Sequence, residues 1–131
     1  MSPAESALSP EERRAFDRGI LEFNEGLFFE CHDTLEDLWS GIRGPSREFF
    51  QGLIQVSVAF YHLTSGNASG AASMLRRAMK RLQGYPDLYF GLELDSLKKE
   101  LGGWLERIGR GDIVLTEGDT LPKWRFRKMP E

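Results

Sequence analysis

Phe23-Asn-Glu-Gly-Leu-Phe-Phe-Glu-Cys-His-Asp-Thr-Leu-Glu-Asp-Leu-Trp39 and Phe49-Phe-Gln-Gly-Leu-Ile-Gln-Val-Ser-Val-Ala-Phe-Tyr-His62 decide the fold of this chain. Their large apolar residues recur at helical spacing, so both stretches read as helices. Each also sets polar side chains among apolar ones: His32 in the first, Gln51, Gln55 and His62 in the second. A buried polar group left unpaired costs about 1–3 kcal/mol, so this placement predicts a polar cluster inside the protein.

On a helical wheel, Phe28, Cys31, Leu35, Leu38 and Ile42 centre the apolar arc of the first stretch. Trp39 lies on its shoulder with His32 beside it, and Glu36 follows one turn along the same edge. Glu30, Asp33, Asp37 and Ser40 fall on the watery side. The second stretch is apolar nearly all round, which predicts a central helix, yet Gln51, Gln55 and His62 share a strip about 40° wide. The Gly44-Pro45 turn between the two stretches makes them antiparallel. That brings His32 and Glu36 within reach of Gln51 and Gln55. His62 lies about 10 Å beyond Gln55 at the helical rise, too far for one ion to be held by Gln51, Gln55 and His62 together.

Outward from this pair, helix signals punctuate the chain. Ser9 caps a first helix, with Pro10 at its first position and Glu12 closing a capping box; Gly26 ends it. The second helix is expected over about residues 27–42, and Ser46 caps the third, which runs to about Thr64. Asn67 caps a fourth helix ending near Gln83, with Gly84 and Pro86 as its stop. Residues 85–95 read as irregular. Asp95 or Ser96 caps a fifth helix to about Ile108, weakened by Gly102-Gly103. The expectation is one all-α domain over residues 1–131, a bundle of about five helices with its core over about 10–108. The tail from 109 lacks helical period, but Trp124 and Phe126 suggest that part of it packs on the body.

A shift of 40 residues aligns Gly19 with Ala59, Gly26 with Gly66, Cys31 with Ala71, Leu35 with Leu75 and Leu38 with Ala78. This spacing of small, turn and large residues resembles tetratricopeptide-type helix hairpins, although the period is longer than theirs. It predicts two similar antiparallel hairpins packed side by side.

Composition bounds the function. With 40% hydrophobic residues in 131, the chain can bury a real core. Its net charge of −3 gives no global attraction to nucleic acid or to an anionic membrane, despite basic runs at Arg76, Arg77, Lys80 and Arg81 and over residues 123–128. Cys31 is the single cysteine, so no intrachain disulfide can form and a reduced, cytoplasmic setting is expected. Met1-Ser-Pro-Ala-Glu lacks the features of a secretory signal. The most apolar segment, 52–61, is too short to span a bilayer. No Walker loop, dinucleotide fingerprint, nucleophile elbow or zinc-finger spacing occurs.

The quoted stretches, continued by Leu63-Thr-Ser-Gly-Asn-Ala-Ser-Gly-Ala-Ala-Ser-Met-Leu75, resemble the family catalogued as domain of unknown function 309 over roughly residues 16–108. The matching positions are Asn24, Gly26, Glu30, His32, Leu35, Glu36, Trp39, Gln51, Gly52, Gln55 and His62. Asp33 stands where Glu is also common, and Cys31 where a small residue is usual. The resemblance implies a compact all-α bundle and no particular activity.

These observations lead first to a binding module, with a polar-lined pocket between helices formed by His32, Glu36, Gln51, Gln55 and His62. Its occupant would be a small ligand or a divalent ion. As metal ligands, His32, Glu36 and His62 are the candidates, since imidazole and carboxylate at i,i+4 suit zinc, iron or nickel. The alternative is a protein–protein or self-association module in which the polar cluster only ties helices together. Catalysis by His32 and Glu36 as an acid–base pair is the weakest reading, because no nucleophile or cofactor motif accompanies them.

Overall fold

The structure, a computed structural model, describes residues 3–111 and 121–125. Five helices follow one another: α1 (Pro10–Asn24), α2 (Phe28–Gly41), α3 (Arg47–Thr64), α4 (Ala68–Leu82) and α5 (Leu94–Gly109). Between α4 and α5 lies a small antiparallel hairpin, β1 (Leu88–Tyr89) and β2 (Leu92–Glu93), with Leu88 opposite Glu93 and Tyr89 opposite Leu92. The expected all-α bundle is therefore observed, with a hairpin in the stretch read as irregular. Its turn has Phe90 at φ 51° and Gly91 at φ 79°. Two successive positive φ values match the twist of a two-residue hairpin. No helix among the described residues is long and apolar enough to cross a membrane.

The capping box of α1 forms as its sequence dictates: the Glu12 N–H donates to Ser9 Oγ at 3.1 Å and the Ser9 N–H to Glu12 Oε1 at 2.9 Å. The 40-residue repeat appears in the backbone. Gly26 and Gly66 take φ of 79° and 82°. After each, an N–H reaches back five residues, from Leu27 to the Glu22 carbonyl and from Asn67 to the His62 carbonyl, both at 2.8 Å. The same glycine-closed helix end thus turns α1 into α2 and α3 into α4. The small residues of the repeat, Gly19, Cys31, Ala59 and Ala71, are all buried.

Ser46 departs from expectation. It precedes α3, but its side chain caps nothing there. Its buried hydroxyl instead accepts the Ser6 N–H at 2.7 Å and bonds the Tyr89 hydroxyl at 2.9 Å. α5 begins two or three residues earlier than expected, after Glu93, again without a side-chain cap.

Aromatic rings fill the centre. Phe16 meets Phe50 edge-on at 5.1 Å, Phe49 meets Tyr89 at 4.8 Å, and Phe23 meets Phe28 at 5.1 Å. The predicted arc of α2 is buried as drawn, from Phe28 through Cys31, Leu35 and Leu38 to Ile42. Trp124 is buried against Phe23, so the tail does pack on the body. Phe126, read as part of the same packing, and the basic residues beyond Arg125 lie outside the described residues.

Candidate functional site

The five polar residues singled out in the sequence do not close on one another. His32 and Glu36 sit one turn apart on α2, with His32 Nε2 2.8 Å from Glu36 Oε2 and Nδ1 3.5 Å from Asp33 Oδ1. The His32 side chain is 25% exposed and that of Glu36 57%, so this pair lies at the surface. On α3, Gln51 and Gln55 are partly buried, and Gln55 Oε1 is buried without a hydrogen-bond partner among the described residues. No hydrogen bond joins His32 or Glu36 to Gln51 or Gln55 among the described residues. Nor does any group of three His, Cys, Asp or Glu side chains among them converge as a metal site.

What the fold does bring together is the two histidines. His32 and His62 line one concavity of about 170 Å³ with Phe29, Val58 and Tyr61. On α2, Phe29 and His32 are three residues apart. On α3, Val58, Tyr61 and His62 follow the i, i+3, i+4 pattern of a single face. Antiparallel packing of α2 and α3 sets these two short rows opposite each other. Phe29 is 48% and Tyr61 42% exposed, so two large rings stand open to solvent beside the cleft. The Phe29 ring lies 5.7 Å from the His32 ring and 5.5 Å from the Tyr61 ring, and Tyr61 lies 6.2 Å from His62.

Asn67 fixes the state of His62. Its Oδ1 accepts the Gly70 N–H at 2.9 Å as the cap of α4. This orients the amide, leaving Nδ2 as the atom 3.4 Å from His62 Nδ1. An NH₂ group can only donate there, so in the neutral ring Nδ1 accepts and the proton sits on Nε2. His62 Nε2 has no partner among the described residues and is available as a donor. His32, by contrast, has a carboxylate at each ring nitrogen.

Reading the sequence missed Phe29, Val58 and Tyr61 as cleft residues, and found Asn67 only as the cap of α4, which it is. One signal was present: in Phe28-Phe29 only one ring can lie on the buried arc, so the other must face outward. Cys31, next to His32 in sequence, is fully buried and inert by position. Burial pushes its thiol up, and the nearby Glu22 charge adds to the shift.

Comparison with known proteins agrees with the sequence resemblance over part of its extent. Residues 16–74 match the model of the family described as "Domain of unknown function (DUF309)"; the match stops short of the 108 expected. An uncharacterized protein of Aquifex aeolicus is 25% identical over 80 residues, which are 60% of this chain and 24% of that protein. The uncharacterized protein YpuF of Bacillus subtilis is 35% identical over 57 residues, 43% of this chain and 33% of that protein. The chain thus spans only a quarter to a third of the length of these relatives.

Proposed function

We propose that this chain, whose residues 16–74 belong to the family described as "Domain of unknown function (DUF309)", is a binding module, and that the cleft between α2 and α3 is its binding site. The observation that carries this is the meeting of both histidines of the chain with two half-exposed aromatic rings in one concavity. Core packing gives no reason to leave Phe29 and Tyr61 open to water.

The size of the cleft selects the ligand. A volume of about 170 Å³ suits a single ring, since an apolar cavity of about 150 Å³ accepts benzene. It falls below the ~300 Å³ at which cofactor-sized pockets begin. The aromatic lining favours a planar group, and His62 Nε2–H offers it one hydrogen bond. The carboxylates of Asp33 and Glu36 beside His32 disfavour an anion. The ligand class is therefore a small, neutral, planar molecule with an acceptor atom. Benzamide serves as the probe and benzoate as its anionic counterpart.

Saturation-transfer NMR on the whole chain tests the site. Benzamide should bind, benzoate should bind more weakly, and Tyr61→Ala should abolish the benzamide signal. Tyr61 is half exposed, so its removal leaves the core in place. A benzamide signal unchanged in Tyr61→Ala, or none in the wild type, would overturn the assignment. Self-association through the same face is the second reading, favoured by the exposure of the adjoining Phe29 and Tyr61 rings. Light scattering that shows a dimer lost in Phe29→Ala would select it.

A further inference from the structure

A second concavity, of about 320 Å³, lies between α5 and the described part of the tail, residues 121–125. It shares no residue with the α2–α3 cleft. Gly103 and Trp104 of α5 line one side, and Leu121 and Pro122 of the tail the other. The tail side is tied to the core. Trp124 is buried and stacked on Phe23 at 4.1 Å, and the Asn24 side chain bonds the Trp124 N–H at 2.7 Å and its carbonyl at 3.0 Å.

The α5 side is shaped for a flat ring. Glycine inside a helix costs about 1 kcal/mol relative to alanine. Among the described residues, no atom lies within 4 Å of a Cβ built on Gly103, so close packing does not account for it. Its missing side chain instead deepens the concavity. Beside it, the Trp104 indole meets Phe60 edge to face at 5.7 Å, and the Arg107 guanidinium lies 4.9 Å over its ring. Aromatic rings and guanidinium planes are the surfaces on which nucleobases stack.

The charged groups choose among flat ligands. Arg107, Lys123 and Arg125 outnumber Glu100 around the concavity, which favours an anion. Lys123 already donates to the Asn24 carbonyl at 2.6 Å, so the exposed Arg125 is the cation best placed to meet it. Glu100 asks for a donor. It is partly buried, and burial raises its carboxyl above the ordinary 4.5, with the Arg125 charge acting the other way. A carboxylate stripped of water gains more from an incoming N–H than a hydrated one does. Guanine meets each demand. Its ring stacks, its N1–H and 2-amino group form two adjacent donors that a carboxylate accepts together, and its nucleotide carries an anionic phosphate. Adenine sets an acceptor beside its amino group and cannot make that pair.

We infer that the concavity between α5 and the tail binds a free guanine mononucleotide. The base lies over Gly103 against Trp104, its N–H edge on Glu100 and its phosphate on Arg125. The volume suits one nucleotide, since pockets for small ligands begin at about 300 Å³. The site is independent of the α2–α3 cleft.

Isothermal titration calorimetry on the full chain tests it, with guanosine monophosphate and adenosine monophosphate as probes. Guanosine monophosphate should bind saturably, and about tenfold or more tighter than adenosine monophosphate. Glu100→Gln should remove the preference, because an amide cannot accept both N–H groups. Arg125→Ala should weaken both nucleotides alike. Gly103→Leu should abolish binding by filling the concavity. Gly103 is exposed and a side chain there meets open space, so this variant should melt no lower than the wild type. No binding of guanosine monophosphate to the wild type, equal affinity for the two nucleotides, or binding unchanged in Gly103→Leu overturns the inference.

Discussion

At the scale of single residues, Asn67 connects structure to chemistry, because one amide both caps α4 and sets the tautomer of His62. Asn67→Asp separates the two roles. Aspartate caps a helix as well as asparagine, so stability should change by less than about 0.5 kcal/mol. It cannot donate to Nδ1, however, so the His62 proton should move to Nδ1, and ¹⁵N ring shifts would report the move. Unchanged ring shifts would show that Asn67 does not control His62. The histidines themselves were legible in the sequence, since a titratable side chain among apolar ones stands out at once. Their neighbours were not. Phe29 and Tyr61 have the residue types of a core, and only tertiary packing decides that they face water.

At the scale of the elements, close approach depends on glycine where helices touch. A Cβ on Gly52 would lie 2.8 Å from Leu82 Cδ2 and 2.9 Å from Cγ, and Leu82 is fully buried. Gly52→Ala should therefore cost about 1–3 kcal/mol through overpacking of α3 against α4. Among the described residues, no atom lies within 4 Å of the same position on Gly102 in α5. Gly102→Ala should stabilise the protein by up to about 1 kcal/mol, the difference in helix propensity. Thermal unfolding of both variants checks the pair, and equal effects would contradict it. The helix ends at Gly26 and Gly66 were legible because their signal is local. The fate of Ser46 was not, because its partners Tyr89 and Ser6 are 43 and 40 residues away in sequence.

At the scale of the whole molecule, two tyrosines tie distant segments together. Tyr89 donates to the Ala4 carbonyl at 2.7 Å and bonds Ser46, which fastens the N-terminal segment and the hairpin to the start of α3. Tyr85 donates to the Pro45 carbonyl and accepts the Phe49 N–H at 3.1 Å. Burial raises both phenols above their ordinary value of 10. The folded state then keeps these protons to higher pH than the unfolded chain does. Stability from this source is complete below about pH 10 and falls as pH rises from there through the raised values. The melting temperature of the wild type should decline more steeply above about pH 10 than that of Tyr85→Phe/Tyr89→Phe. Parallel declines would contradict this.

The resemblance and the periodicity made the bundle legible. The assembly of the cleft was not, because it needs two short rows on different helices to meet. That meeting is the central claim, and ring NMR of the two histidines during a benzamide titration tests it most directly. His32 and His62 should shift together along one saturation curve in the wild type and stay still in Tyr61→Ala. Shifts at one histidine alone, or shifts that persist in Tyr61→Ala, would contradict a shared site.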